Sequence, residues 1–370
     1  MRKVILLALL TMGFALSVHA QEADKQKTVI ELPQWVKDIK ISGYGMLQYQ
    51  FQNPNEKSEN TFNLRLMRLI MDGKISDFAW RVQMQGSSNA GPGNPTVMLV
   101  DLYAEWQKYE FFKVKAGQFK RAFTFENPTH PITQGWYSYA NVINSLSGFG
   151  DRSGEKASGG RDIGVQIQGD LLKNSEGRNL LHYQIGVYNG EGINQKDKDN
   201  KKDIIGGVWF MPVKGVRIGA FGWTGTRGDM YWMDGNTRHD IGSVRKNRYA
   251  LSAEYDLNQY TFRAEYIHSQ GWGATKVDSR EVDFSKGDKA DGFYVFGIVP
   301  VIKSKLHAKA RYNTYRPSKE WSTSKTMYEI GLNYFFNKNI QINAEYAFVN
   351  DRSLAKHNYN FADIQFCFRF

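Results

Sequence analysis

The strongest constraint on the fold of this chain is a two-residue alternation of apolar and polar side chains, which recurs from about residue 40 to the C-terminus. Residues 340–346 show it clearly, because Ile, Ile, Ala and Tyr alternate with Gln, Asn and Glu. A period of two gives a β-strand one apolar face and one polar face. Segments of this kind number about 16, a count typical of large membrane barrels. The sequence therefore predicts an all-β fold.

The connections between these segments alternate between short and long. Short connections lie at 76–77, 107–109, 212–215, 257–259 and 337–339. Long connections lie near 53–61, 86–95, 119–160, 190–202, 227–246, 271–290, 315–325 and 349–358. Barrels of the bacterial outer membrane have short periplasmic turns and long external loops, whereas a soluble β-sandwich has no reason for this strict alternation. We therefore expect a transmembrane antiparallel β-barrel of about 16 strands in the outer membrane.

The N-terminus has the pattern of a secretory signal peptide. Two cations precede an apolar run at residues 4–16, and Val18-His19-Ala20 forms a small-x-small cleavage site. The chain carries a net charge of +11. Because an exported protein does not meet nucleic acid, this charge favours anionic solutes or anionic lipid as partners. The predicted parts of the chain are a signal peptide at 1–20, a periplasmic segment at 21–38 and a barrel domain at 39–370.

The last ten residues, FADIQFCFRF, alternate in the same way. A terminal Phe on an alternating aromatic strand resembles the signal that the barrel assembly machinery of the outer membrane reads. The candidate assembly residues are Phe366, Phe368 and Phe370. The apolar outer face of such a barrel is expected to contact outer-membrane lipid and lipopolysaccharide.

Residues 119–160 form the longest connection, and they show neither a period of two nor one of 3.6. Such a long irregular stretch is uncommon in a compact domain unless it is a functional loop. Its aromatic residues are Phe123, Phe125, Trp136, Tyr137, Tyr139 and Phe149. Disordered segments are poor in aromatic residues, so we expect this third external loop to fold into the barrel and narrow the pore. Polar residues that can satisfy its backbone are Asn127, Thr129, Thr133, Asn141 and Asn144.

Basic residues cluster at both ends of this loop and on the strand before it. The candidate lining of the constriction is Lys113, Lys115, Lys120, Arg121, Arg152 and Arg161. A row of cations in a lumen replaces part of the hydration of an anion and raises its local concentration. The alternative is that these cations keep the pore wet and pair with facing acids. Arg65 and Arg68 have opposite parity, so only one of them faces the lumen unless a β-bulge intervenes.

Patterns for catalysis and for metal binding are weak. The seven histidines lack metal-ligand spacing, and Cys367 is the sole cysteine, so neither a Cys-rich zinc site nor an internal disulfide is expected. No cofactor is expected, and the chain is not predicted to be an enzyme, since a barrel phospholipase would need a Ser-His pair on its lipid-facing wall. Two other functions stay open: a general diffusion pore, and a secreted β-sandwich that binds glycans through exposed Trp and Tyr.

Several short blocks, in order along the chain, carry a family resemblance. They are residues 62–68 (FNLRLMR), 72–75 (DGKI), 115–120 (KAGQFK), 160–166 (GRDIGVQ), 186–192 (GVYNGEG) and 333–339 (NYFFNKN). In these blocks the chain resembles the phosphate-selective porin O and porin P family. The resemblance implies a homotrimer of barrels, a constricting third loop, a basic pore, and passive diffusion of inorganic anions such as phosphate. The chain departs from a purely basic pore, because acids also fall on polar faces: Asp101, Glu105, Asp162, Asp170, Glu254, Glu265 and Glu345.

Overall fold

The computed structural model describes residues 39–86, 97–155 and 159–370. The predicted signal peptide (1–20), the predicted periplasmic segment (21–38) and nearly all of the predicted loop at 86–95 lie outside the described residues. Those three interpretations stay predictions.

Strands dominate the described chain. In chain order they are β1 (Lys40–Gln52), β2 (Glu59–Ile75), β3 (Phe78–Gly86), β4 (Val97–Trp106), β5 (Lys113–Lys120), β6 (Arg161–Lys173), β7 (Asn179–Tyr188), β8 (Asp203–Phe210), β9 (Val216–Thr224), β10 (Thr226–Asp234), β11 (Thr237–Arg245), β12 (Asn247–Leu257), β13 (Tyr260–Gln270), β14 (Gly273–Ala274), β15 (Val282–Asp283), β16 (Lys289–Ile302), β17 (Leu306–Arg316), β18 (Lys325–Phe335), β19 (Ile340–Asp351) and β20 (Asn358–Arg369). The helical elements are α1 (Asn141–Leu146) and three single 3₁₀ turns, at Pro54–Glu56, Phe284–Lys286 and Trp321–Thr323.

Sixteen of these strands form one closed antiparallel barrel, which confirms the predicted fold. Neighbouring barrel strands pair in chain order, and β1 pairs with β20 to close the ring. The hairpins β10–β11 and β14–β15 lie in the connections that follow β9 and β13. Closure leaves no sheet edge, so the backbone groups of every barrel strand find partners on both sides. No helix among the described residues has the length and apolar character needed to cross a membrane.

The alternation seen in the sequence corresponds to the two faces of the barrel wall. On β18, Ile330 is 60% exposed on the outside, whereas its neighbour Glu329 is 1% exposed and faces the interior. The same contrast separates Ile364 from Gln365 on β20. An apolar outer face suits contact with lipid, and a polar inner face suits a water-filled lumen.

The barrel wall contains β-bulges that break the regular alternation, and two of them bear on which side chains face inward. On β2, Met46 pairs with Leu66 and the next residue of β1 pairs with Leu64, so Arg65 is skipped. A bulge of this kind lets two residues of opposite parity face the same side. Arg65 accordingly donates to the buried Gln365 at 3.0 Å, and Arg68 also lies inside.

The second bulge lies on β4 and corrects an expectation. Regular alternation would place Val100 on the outer apolar face, together with Leu102 and Ala104. The pairing with β3 skips Val100, because Gln83 pairs with Asp101 and Met84 pairs with Leu99. Val100 is therefore fully buried instead of facing outward.

Candidate functional site

The connection from β5 to β6 is described at residues 121–155 and 159–160, and this part runs inside the barrel, as predicted; we call it the constriction loop. Phe123, Phe125 and Trp136 are each at most 1% exposed. They belong to one apolar cluster with wall residues such as Phe221 and Phe296. The aromatic rings of the loop thus pack against barrel strands between β7 and β17, as the sequence predicted that they need a wall. The loop narrows the lumen.

Side chains of the wall also bind the backbone of the constriction loop. Glu265 accepts hydrogen bonds from the N–H groups of Phe125 at 2.7 Å and Glu126 at 2.9 Å. Four wall side chains donate to loop carbonyls: Lys309 to Gly135, Arg311 to Ser138, Gln341 to Ile132 and Gln365 to Tyr137. Sequence reasoning missed these contacts, because parity places a side chain in the lumen without indicating which loop atom it reaches.

The loop supplies further hydrogen bonds from its own polar residues. Asn127, Thr129, Thr133 and Asn144 each donate to a loop carbonyl. Asn141 acts differently: its backbone N–H donates to the side chain of Asn313 at 3.2 Å, and its own side-chain nitrogen has no partner among the described residues.

A cavity of about 480 Å³ lies between the constriction loop and the facing wall; we call it the basic cavity. Its cationic lining residues are Arg68, Arg81, Lys115, Lys120, Arg121, Arg161 and Arg217. Asp101 is the one acidic residue among the described residues that line it. The charged side chains that line this cavity are therefore mainly cationic.

Five of the seven cations form ion pairs with acids of the wall or the loop. The pairs are Arg81–Asp72 at 2.7 Å, Arg161–Asp101 at 2.6 Å, Lys115–Glu105 at 3.5 Å, Arg217–Glu254 at 2.6 Å, and Arg121 with Glu155 and with Asp162. These pairs fix the orientation of the cations and neutralise part of their charge. The predicted alternative, in which lumen cations pair with facing acids, thus holds for five of the seven cations that line the basic cavity.

The other two cations, Arg68 and Lys120, form no ion pair with any carboxylate in the described chain. Arg68 donates twice to the amide oxygen of Gln85, at 2.9 and 2.7 Å. Lys120 donates to the carbonyls of Asn127 at 2.6 Å and Thr129 at 3.1 Å. Their hydrogen-bond partners are neutral, so no carboxylate of the described chain offsets either cation.

The structure brings together four of the six predicted lining residues. Lys115, Lys120, Arg121 and Arg161 all line the basic cavity. Lys113 begins β5 near the opposite end of the strand and pairs with Asp170 at 3.1 Å. Three cavity cations were not among the predicted lining residues. Arg81 and Arg217 lie on strand segments where their polar parity could have indicated them, and the facing of Arg68 stayed open because its parity is opposite to that of Arg65.

Arg152, the sixth predicted residue, lies apart from the basic cavity. Its guanidinium donates to the backbone carbonyls of Gly271, Gly287 and Pro317. These carbonyls belong to the external connections after β13 and β17. Arg152 therefore joins the constriction loop to its neighbouring loops.

His130 of the constriction loop also lines the basic cavity. Burial, followed by the charges of Arg68 and Lys120, lowers the pKa of His130 to about 4. Its Nδ1 accepts a hydrogen bond from the backbone N–H of Ile132 at 3.2 Å, and its ring lies 4.5 Å from that of Tyr44. The imidazole is thus neutral near pH 7 and adds no charge to the cavity there.

Two of the three predicted assembly residues, Phe366 and Phe368, lie on the outer face of β20, and Phe370 follows directly after this strand. Phe366, Phe368 and Phe370 are 37%, 39% and 69% exposed. Their position leaves the rings accessible from the lipid side, and their role as an assembly signal stays a prediction.

Among the described residues, no group of three or more His, Cys, Asp or Glu side chains could hold a metal ion.

Comparison with known proteins identifies relatives by sequence model and by structure. The family model described as Gram-negative porin matches residues 6–354. No curated protein sequence matches the chain.

Solved structures resemble the barrel over most of its length. The anion-selective porin from Comamonas acidovorans has 10% sequence identity and a TM-score of 0.64, over 90% of this chain and 99% of that chain. OmpF of Salmonella typhi, in complex with daunomycin, has 14% identity and a TM-score of 0.63, over 90% and 97%. The trimer form of OmpT, an outer-membrane protein of Vibrio cholerae, has 14% identity and a TM-score of 0.57, over 90% and 99%. At these identities the likeness concerns the fold.

Proposed function

This chain belongs to the family of Gram-negative porins, channels of the outer membrane, and we propose from this premise that it is a diffusion pore that prefers anions. The observation that carries the proposal is the lining of the basic cavity, where seven cations accompany one acid. Fixed cations in a narrow lumen raise the local concentration of anions and replace part of their hydration.

Arg68 and Lys120 are the residues that give the preference its sign. The other cavity cations are paired with acids at distances of 3.5 Å or less. They therefore contribute hydrogen-bond donors of fixed orientation more than net charge. Two unbalanced cations produce a graded preference rather than a strict filter. Inorganic anions such as phosphate suit this lining, in keeping with the narrower resemblance to phosphate-selective porins.

The test is ion selectivity of the purified protein in a planar bilayer. The reversal potential in a potassium chloride gradient should indicate anion preference, and phosphate should reduce the chloride current by competing for the same cations. Replacing both Arg68 and Lys120 with Gln should move the reversal potential toward zero. Arg238→Gln, on the exposed external hairpin, is the matched control because it removes one cation far from the cavity.

A general diffusion pore is the second candidate, and the five ion pairs of the cavity favour it. In that case the wild-type protein would show no anion preference, and the double substitution would leave the reversal potential unchanged. The resemblance to a trimer-form structure supports a homotrimer as the assembly of the pore. Native mass measurement that finds monomers alone would exclude that assembly.

A further inference from the structure

Two neutral side chains of the basic cavity, Gln184 on β7 and Trp209 on β8, present polar groups without partners. Neither the side-chain amide of Gln184 nor the indole N–H of Trp209 has a hydrogen-bond partner among the described residues. Both side chains are only partly buried, and both polar groups retain accessible surface. A solute in the cavity can therefore reach them.

The neighbouring cation Arg217, on β9, uses only part of its guanidinium inside the chain. Its Nε donates to Glu254 at 2.6 Å, and the same carboxylate accepts from Arg263. One acid is thus shared between two cations. The terminal nitrogens of Arg217 have no hydrogen-bond partner among the described residues, and its side chain is 28% exposed. Arg217 can therefore offer two parallel donors to a carboxylate.

Strand pairing places these three side chains next to one another. Trp209 pairs with His182, so Gln184 is its diagonal neighbour on β7. Trp209 also pairs with Gly219, so Arg217 is its diagonal neighbour on β9. Diagonal neighbours in an antiparallel pair lie about 7–8 Å apart, which is within the span of one small organic molecule. The indole ring is held in place by the His182 ring, which stacks on it at 4.0 Å.

We propose that this part of the basic cavity binds a sugar acid, which is a polyhydroxylated molecule with one carboxylate. The inference rests on the proposed anion preference and names the class of solute. The carboxylate accepts from the terminal nitrogens of Arg217, and hydroxyl groups bond with Gln184, which both donates and accepts, and with the indole N–H of Trp209. The cavity volume of about 480 Å³ is within the range of pockets for small organic molecules, about 300–1,000 Å³.

Other classes of solute match the lining less well. An inorganic anion is attracted by the cations, but it is too small to engage Arg217, Gln184 and Trp209 together. An aromatic acid would cover Gln184 and Trp209 without pairing their polar groups, which costs free energy. A neutral sugar makes no use of the cations, and the ammonium group of an amino acid is repelled by them. A sugar acid uses both the charge and the free hydrogen-bonding groups.

The first test compares solutes on the wild-type protein in a planar bilayer at constant ionic strength. Glucuronate should halve the single-channel current at a concentration about tenfold below that of acetate, benzoate or glucose. An anion-preferring pore that any of these three blocks as well as glucuronate would overturn this inference alone. The reversal potential in a potassium chloride gradient is measured in the same membranes. Absence of anion preference there would overturn the proposed function, whatever the order of the solutes.

The second test removes the free polar groups and keeps the size of the side chains. In the double variant Gln184→Met and Trp209→Phe, the preference for glucuronate over acetate should fall about tenfold, because two hydrogen bonds to the hydroxyl groups are lost. Acetate has no hydroxyl groups, so its block serves as the internal reference. Trp321→Phe, on the external connection after β17, is the matched control and should keep the wild-type ratio. An unchanged ratio in the double variant would overturn the inference.

Discussion

Phe370, the last residue, closes the barrel on Gly43. Each backbone N–H donates to the carbonyl of the other residue at 3.0 Å. The ring of Phe370 lies over the glycine, so that a Cβ added at position 43 would come within 2.5 Å of the ring and 2.8 Å of the carbonyl oxygen of Arg68. The adjacent ring, Phe368, covers Gly45 in the same way. Aromatic rings that cover glycines on a neighbouring strand are a known means of fixing sheet register.

The first prediction concerns this closure. Replacing Gly43 and Gly45 with Val should push both rings off β1 and lower the yield of folded barrel, as measured by heat-modifiable migration in gels. Deleting Phe370 should have a similar effect, because it removes both the ring and the two hydrogen bonds. Gly222→Ala is a suitable control, since an added Cβ there meets no atom within 4 Å. Normal folding of the Val variant would mean that the rings do not set the closing register.

The second prediction concerns the docking of the constriction loop. Glu265→Ala removes the acceptor for the N–H groups of Phe125 and Glu126, and each buried unsatisfied group costs about 1–3 kcal/mol. The loop should loosen, which would raise single-channel conductance and current noise. Glu265→Gln keeps one acceptor oxygen and should behave closer to the wild type. Equal conductance of the Ala and Gln variants would show that the apolar cluster alone holds the loop.

The third prediction distinguishes cations that determine ion selectivity from cations that stabilise the folded barrel. Lys115→Gln should lower anion preference with little loss of folded protein, because Glu105 keeps hydrogen bonds from Gln107 and Gln168. Arg121→Gln should instead lower the free energy of unfolding by about 3–5 kcal/mol, because it leaves the buried Asp162 without its cation and leaves Glu155 with Lys246 alone. Bilayer reversal potentials and thermal unfolding midpoints measure the two effects. An Arg121 variant with a changed reversal potential and an unchanged unfolding midpoint would contradict this distinction.

The barrel was predictable because its signal is repeated. In every strand that contacts lipid on one face and water on the other, apolar and polar side chains must alternate. Residues 340–346 and 360–370 show this alternation clearly. The bulges at Arg65 and Val100 were not predictable in position, since one inserted residue leaves the composition of a strand unchanged and shifts only its parity.

The site was predictable in part, because the charge of a segment can be read from the sequence whereas its contacts cannot. The ends of the constriction loop could be recognised as basic, and Lys115, Lys120, Arg121 and Arg161 do meet at one cavity. The partners of these cations could not be recognised, because they come from strands far away in sequence. Arg152 shows the consequence: a cation at a loop end can point to a neighbouring loop as easily as to the lumen.

The fourth prediction concerns acid. The pKa of His130 is lowered to about 4 by burial and by Arg68, Lys120, Arg369 and Arg81, from an unfolded value of about 6.5. The unfolded chain therefore binds this proton more tightly, so docking of the constriction loop loses stability as pH falls from about 6.5 toward 4. His130→Asn offers an uncharged acceptor to Ile132, and its unfolding midpoint should drop less between pH 7 and pH 4.5 than that of the wild type. Both proteins share every other titrating group, so the difference between their two drops isolates His130. Identical drops would show that the folded protein binds this proton as readily as the unfolded chain does, so that the pKa of His130 is not lowered by its surroundings.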